Sequence, residues 1–326
     1  MKIQSLEKKI PIDSVENPLM HCSQSYLNFL GDALPNTVLD SLDIKIEDGT
    51  SVPFHYAYFN SKELGSVVNS LPFFGSHGGP LSSQPVIQQK LIEKFSEKIE
   101  EINPLSVTLI ENPFLPLDDK ILNQAGLKCV DSRIGQFTHL PADMVDFHVK
   151  TRNAIRKGLK LKLEIKKSTD FDDWSWMQSL HEKSIRALGG IPKTMAIYDS
   201  LKKAFGDKVE LWIGYLSDRP ITGLVIIRCL QTVEYFTPVV EESYKDTQAL
   251  SALIYKVMKL CGGSGSKLWN WGGTWESQTG VYRFKSRWGA FDKPYRYFNQ
   301  VRSNKIFEIP RDSLVKEFPY YYLYKY

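Results

Sequence analysis

The sequence predicts an α/β chain (α+β where strands and helices segregate) built as two tandem units, each a mixed sheet flanked by helices. Three observations carry that expectation. Segments with period-2 alternation and segments with helical spacing follow one another along the whole length, the grammar of open sheets covered by helices. Each half runs strands, loop, helix, strand, although no sequence identity links the halves. Strand patterning then gives way to a basic segment near Ala142 to Lys150, which sets the expected boundary between a domain at 1–145 and a domain at 146–326. A chain of 326 residues is long enough for two cores of ordinary size.

Taken in order, "NPLMHCSQSYLNFLGDAL" (Asn17 to Leu34) reads as a short amphipathic helix. "LDIKIEDG" and "VPFHYAYFN" alternate as two strands around the turn Glu47-Asp48-Gly49. After the loop "LPFFGSHGGPLSS", the spacing of Val86, Leu91, Phe95 and Ile99 predicts a helix over Pro85 to Ile102. "LSVTLIENP" is a β-branched strand, and "ILNQAGLKCVDSRIGQFTHL" a short helix followed by a strand. In the second half, helices at Phe171 to Ala187 and Thr194 to Phe205 precede three strands, "VELWIGYL", "ITGLVIIRCL" and "TVEYFTPVV". The loop "EESYKDT" leads into "QALSALIYKVMKLCGG", a helix with Leu250, Leu253, Val257 and Leu260 on one face and Gly262-Gly263 at its end. "KLWNWGG" is a further strand. "GVYRFKSRWGA" (Gly280 to Ala290) reads as another, with Arg283, Lys285 and Arg287 on one side and Tyr282 and Phe284 anchoring the other.

Composition narrows the function classes. The net charge of +4 admits an anionic ligand without demanding nucleic acid, and DNA is not an expected partner. The four cysteines (Cys22, Cys129, Cys229, Cys261) are scattered without CxxC spacing, which predicts reduced, mostly buried thiols and a cytoplasmic location. The six histidines show no ligand spacing, so no metal site is expected. The start lacks the apolar stretch of a signal peptide, and no apolar run approaches the roughly 20 residues of a membrane helix.

Two stretches invite a ligand. "VKTRNAIRKGLKLKLEIKK" carries eight Lys or Arg between Lys150 and Lys167 against one acid, Glu164. On a helix, Arg152, Arg156 and Lys160 share one face and Ile155 and Leu159 another. That face suits phosphates on a nucleotide, a nucleotide-sugar or an RNA end, and its plain alternative is a solvated helix. "FFGSHGGP" supplies small residues that let a ligand approach the backbone, or forms an ordinary turn; it matches neither GxxxxGK[ST] nor GxGxxG. No GxSxG elbow or activated cysteine appears, so direct transfer within a ternary complex is expected rather than a covalent intermediate.

"TRNAIRKGLKLKLEI" resembles the basic stretch that opens the second domain of Fem-type (FemAB-like) transferases. "LSALIYKVMKLCGGSGSKLWNWGG", followed by "YRFKSRWGA", resembles their closing pattern: a helix, a Gly-rich turn, a strand ending in Gly, then F/Y-K-x-x-x-G. "LPFFGSHGGP" is similar to a loop of related enzymes with envelope-polysaccharide functions, and the likeness spans most of Leu71 to Phe298. It implies two tandem GNAT acyltransferase domains. It also implies transfer of an acyl or aminoacyl group to an amine of a cell-envelope or polysaccharide precursor, a nucleotide-linked or amino sugar.

Acyl-CoA or aminoacyl-tRNA is then the co-substrate, with no tightly bound cofactor; the partners are a small-molecule amine acceptor and, for the second donor, tRNA. Lys285 matches the family's functional lysine, and Arg152, Asn153, Arg156 and Lys157 its basic motif. Gly75, Ser76, His77, Trp271, Gly273, Tyr282, Phe284 and Gly289 complete the expected substrate-binding set, with Trp275 and Trp288 as further walls. Two departures stand out. Where the fold's usual pyrophosphate loop carries glycines, this chain has "EESYKDTQAL", whose Glu241, Glu242 and Asp246 oppose an anion at the helix head, and nothing resembles the long coiled-coil arm of some Fem enzymes. Amine attack on an ester or thioester needs alignment, a free amine and a stabilised oxyanion; the sequence names no base, since Glu111, His77 and Glu234 can be placed near strand ends or loops but so can many structural residues. The competing expectation is a non-catalytic double-GNAT module that binds a nucleotide-sugar or RNA.

Overall fold

The structure, a computed structural model, describes residues 19–73 and 76–324. Its elements in chain order are α1 (Gln24–Ala33), β1 (Thr37–Lys45), β2 (Ser51–Ser61), β3 (Gly65–Asn69), β4 (Gly79–Pro80), α2 (Pro85–Ile102), β5 (Ser106–Ile110), α3 (Asp119–Gln124), β6 (Lys128–His139), α4 (Val149–Leu159), β7 (Glu164–Ser168), α5 (Phe171–Ala187), α6 (Met195–Phe205), β8 (Val209–Leu216), β9 (Arg219–Cys229), β10 (Thr232–Val240), α7 (Ala249–Gly263), β11 (Leu268–Thr274), α8 (Thr279–Ser286), β12 (Phe291–Val301) and α9 (Arg311–Glu317). The chain divides into two compact units: one takes residues up to Ile134 and from Lys293 on, the other Gly135–Asp292.

In the first unit the strand order is β1-β2-β3-β5-β12, with β4 paired to β2. Only β3 and β5 run parallel among these pairs. Helix α2 occupies the span its spacing predicts, with Pro85 at its first position and Asn103 closing it in the left-handed region (φ 49°). It buries Leu91, Phe95 and Ile99 against Phe54, Val107 and Leu109. Helix α1 starts at Gln24, later than expected, because the Ser23 side chain accepts from the Tyr26 amide and caps it there. A 3-10 turn, Met20–Cys22, precedes it, and Asn17 and Pro18 lie outside the described residues.

Everything after residue 145 was expected in one domain, whereas residues from Lys293 on cluster with the first unit. The reason is apolar: Ile306, Leu314, Phe318, Tyr321 and Leu323 pack with Val67 and Leu105. The Asn299 amide adds polar ties, donating to the carbonyls of Val107 (3.0 Å) and Leu323 (2.6 Å).

In the second unit the order is β11-β10-β9-β8-β7, antiparallel except for β10 and β11. Strand β9 is buried along most of its length, and Leu224 and Ile226 join Leu253, Val257 and Met258 of α7 in the core. Helix α4 lies against the head of α7. A Cβ at Gly158 would come within 2.3 Å of the Gln248 carbonyl oxygen, so only glycine allows that approach. Pairing of β10 with β11 stops at Glu234 and Asn270 although both strands continue. The expected loop at 241–247 is a short 3-10 helix, Glu242–Thr247.

The largest local correction falls on "GVYRFKSRWGA". It is not a strand but helix α8, from Thr279 to Ser286. Thr279 and Val281, at its start, are its only β-branched residues, and the Ser286 hydroxyl donates back to the Tyr282 carbonyl one turn earlier (3.0 Å). Sides do not alternate in a helix, so the expected faces are reversed. Phe284 is 36% exposed while Lys285 is 7% exposed.

Candidate functional site

The basic helix and α8 meet the head of α7 in a groove of about 430 Å³ within the second unit. Its walls include Lys150, Asn153 and Lys157 of α4, Gln248 and Ser251 at the start of α7, and Phe284, Arg287 and Trp288. Three cations therefore line it, and among the described residues no Asp or Glu does. Gln248 takes the left-handed conformation (φ 64°), and α7 has no side-chain cap there. The positive end of the helix dipole adds to the lysines, which together make an anion-receptive surface with an aromatic side. The acids at 241–246 interfere less than their number implies: Glu241 pairs with Arg219 (2.9 Å) and Glu242 with Lys245 (2.5 Å).

Of the expected basic set, Asn153 and Lys157 line this groove and Arg152 and Arg156 do not. The Arg152 guanidinium folds back to donate to the Phe147 carbonyl (2.8 Å), tying down the start of α4. Arg156 is exposed and reaches Asn153 Oδ1 (3.3 Å). Lys150 and Arg287 were not in the expected binding set. The signal for both was their charge beside a helix head whose position only packing reveals.

Lys285 looks inward. Its ammonium donates to the carbonyls of Gly272 (3.0 Å) and Gly273 (3.1 Å) and to Thr274 Oγ1 (2.8 Å). Burial lowers it to about 8. It thus pins the end of β11, where Gly272 holds a positive φ of 74°. The Gly272 amide in turn donates to Asn270 Oδ1 (2.8 Å), and Asn270 Nδ2 donates to Glu234 Oε2 (2.7 Å). A hydrogen-bonded chain therefore runs from Lys285 to a carboxyl on β10. Glu234 Oε1 is buried without a partner among the described residues, and burial raises the acid to about 8.

The remaining expected residues fall into four groups. Trp271 is core: its indole donates to Thr138 Oγ1 (2.9 Å) and its ring packs beside Phe284 and Trp288. Tyr282 donates to Asp292 (2.6 Å), and Trp275 is 44% exposed. Gly289 has φ 69°, and a Cβ there would meet the Asp146 carbonyl at 2.8 Å, which explains a glycine at the end of the F-K-x-x-x-G stretch. In the first unit, Ser76 and His77 are buried. Ser76 donates to the Pro72 carbonyl (2.6 Å) and bonds Tyr26, and His77 Nδ1 lies 3.0 Å from the Glu111 carbonyl, with burial lowering its imidazole to about 4. Gly75 lies outside the described residues. Glu111 holds Arg296 by both oxygens (2.6 and 2.9 Å), which commits it to an ion pair.

Residues 147–286 match the family model described as the acetyltransferase (GNAT) domain. No curated protein matches the chain in sequence. Among solved structures, the crystal structure of FemX is similar at TM-score 0.73 and 12% identity, over 94% of this chain and 98% of that one. The C-terminal domain (DUF2156) of a putative lysylphosphatidylglycerol synthetase from Agrobacterium fabrum is similar at TM-score 0.56 and 11% identity, over 91% of this chain and 93% of its own. A tandem GNAT protein from the clavulanic acid biosynthesis pathway is similar at TM-score 0.53 and 11% identity, covering 88% and 90%. The fold is that of tandem GNAT-like units with mixed sheets flanked by helices. Among the described residues no helix is long and apolar enough to cross a membrane.

Proposed function

We propose that the chain, whose fold is GNAT-like, is a Fem-like acyltransferase that moves an acyl or aminoacyl group from a thioester or aminoacyl-tRNA donor to an amine on a cell-envelope or polysaccharide precursor. The observation that carries this reading is the groove of the second unit, where Lys150, Lys157 and Arg287 surround the uncapped head of α7. Phosphate groups on a donor or a nucleotide-linked acceptor suit that surface: charges supply attraction and the helix head supplies directed amides.

The amine attacks the acyl carbon directly; the C–N bond forms as the bond to the donor's sulfur or oxygen breaks, and the amine's proton passes to a base. Glu234 is the base we assign. Its carboxyl stands where β10 and β11 cease to pair, and a carboxyl raised to about 8 is, once ionised, a stronger base than an ordinary carboxylate. Lys285 is assigned to hold Gly272 and Gly273 in place and to bring positive charge near the developing oxyanion.

The test is turnover. Native mass spectrometry of the purified protein identifies the retained donor or acceptor, and transfer between the two is then measured. Lys150→Ala with Lys157→Ala is expected to raise KM for the phosphate-bearing substrate roughly ten- to hundredfold with thermal stability unchanged. Tight, steeply salt-dependent RNA or nucleotide-sugar binding without any turnover would instead support the non-catalytic module.

A further inference from the structure

We propose that the first unit holds a second ligand site, a cavity that takes a small carboxylate with a flat aromatic body. The cavity measures about 220 Å³ and is lined by residues of the first unit alone, among them Arg133, Asn69, Phe73, Tyr297, Tyr320 and Tyr322. That is room for several ordered waters in a partly open cleft. A space of this size beside a guanidinium does not stay empty. It is solvated or it is filled.

The walls select the ligand. The Arg133 guanidinium stands over the rings of Tyr297 (4.6 Å) and Tyr322 (5.4 Å) and donates to the Tyr322 hydroxyl (3.1 Å). That hydroxyl donates onward to Asp131 (2.9 Å), so the acid reaches the cation through a phenol on one side. The planar fork of arginine matches a carboxylate better than any other small anion that carries an apolar body. Also lining the cavity, Phe73 and Tyr320 stack at 5.4 Å and 27° and offer a flat aromatic face. A quaternary ammonium would favour these rings, but Arg133 places positive charge in the same wall and excludes it. A nucleoside diphosphate exceeds the volume.

The wall is also built under strain. Phe73 has φ 83°, a region that a bulky side chain adopts only under constraint. Its amide donates to the Tyr320 carbonyl (2.8 Å), which holds it there. Asn69 clips the neighbouring segment twice, accepting from the Tyr322 amide and donating to the Tyr322 carbonyl, each at 2.7 Å. The C-terminal tyrosines are thus fixed as a wall around the space.

The test is a fluorine NMR titration of the full chain with 4-fluorobenzoate, with 4-fluorobenzamide and tetramethylammonium as comparators. Saturable binding is expected with Kd on the order of 1 mM or tighter, as a ligand of this size reaches at ordinary efficiency. The neutral amide should bind at least tenfold more weakly, and tetramethylammonium should not compete. Arg133→Gln should abolish binding, and Lys157→Ala, in the groove of the second unit, should leave it intact. Should Arg133→Gln fail to fold by circular dichroism, Ile110→Phe keeps the cation and fills the space, and binding should be lost there. No saturable shift with the unaltered chain, equal binding of the amide, or binding that survives Ile110→Phe would overturn the proposal.

Discussion

Lys285 spends all three ammonium protons on Gly272, Gly273 and Thr274, and that changes what its removal should do. A surface lysine could become methionine without harm. Here the change strands three acceptors, so Lys285→Met is expected to lose about 1–3 kcal/mol of stability, read by denaturant unfolding, in addition to about a hundredfold in transfer rate. A folded Lys285→Met variant with unaltered turnover would reduce the lysine to a strand clamp. Glu234 makes the opposite kind of prediction. Its carboxyl is raised by burial from 4.5 to about 8, so between those values the native state keeps a proton that the unfolded chain has released. Stability from this group is present at low pH and is lost as pH rises through that window. Glu234→Gln removes the titration yet still accepts from Asn270. Its melting temperature should therefore gain on the unaltered protein as pH rises from about 5 to about 8.5, and parallel curves would show that Glu234 does not titrate there.

The packing of α4 on α7 is the element on which the groove depends. Gly158 permits it, since any Cβ would press into the Gln248 backbone, which cannot swing aside as a side chain can. Gly158→Ala is expected to cost about 1–3 kcal/mol and to weaken phosphate-dependent substrate binding, because the head of α7 must shift with it. Stability and binding that both match the unaltered protein would refute that coupling. Helix α8 shows how an element can be misread. Arg283, Lys285 and Arg287 alternate with Tyr282, Phe284, Ser286 and Trp288 and imitate a strand, but eight residues are too few for periodicity to decide. The burial of Lys285 against the end of β11 is what sets the choice, and that contact is absent from local sequence.

At the scale of the molecule, the extent of the second unit can be tested with fragments. A piece spanning 146–326 discards Gln136 and Thr138, which bond Ser286 Oγ (2.9 Å) and the Trp271 indole (2.9 Å). It also carries Ile306, Leu314 and Phe318 without the Val67 and Leu105 they pack with. Fragment 135–292 is therefore expected to give the sharper thermal transition and the lower exposure of apolar surface, measured by dye binding. A more cooperative 146–326 would place the boundary where the sequence patterning changes.

What the residues settled unaided was local and periodic. Alternation and helical spacing announced α2 at Pro85–Ile102 and α5 at Phe171–Ala187 with their observed bounds, since a long amphipathic run carries its own burial pattern. The motif glycine at 289 and the basic stretch pointed to the second half of the chain before any coordinate did. The rest depended on contacts between distant positions. Arg152 and Arg156 share a helical face outside the groove, whereas Lys150 and Lys157 line it with Arg287. His77 and Glu111 could be placed near loops or strand ends from sequence alone; in the fold His77 meets the Glu111 carbonyl and Glu111 is held in an ion pair with Arg296. Charge and residue type are written in the chain; which charges face a cavity and which are consumed by neighbours is fixed by packing over sequence separations that no local pattern spans.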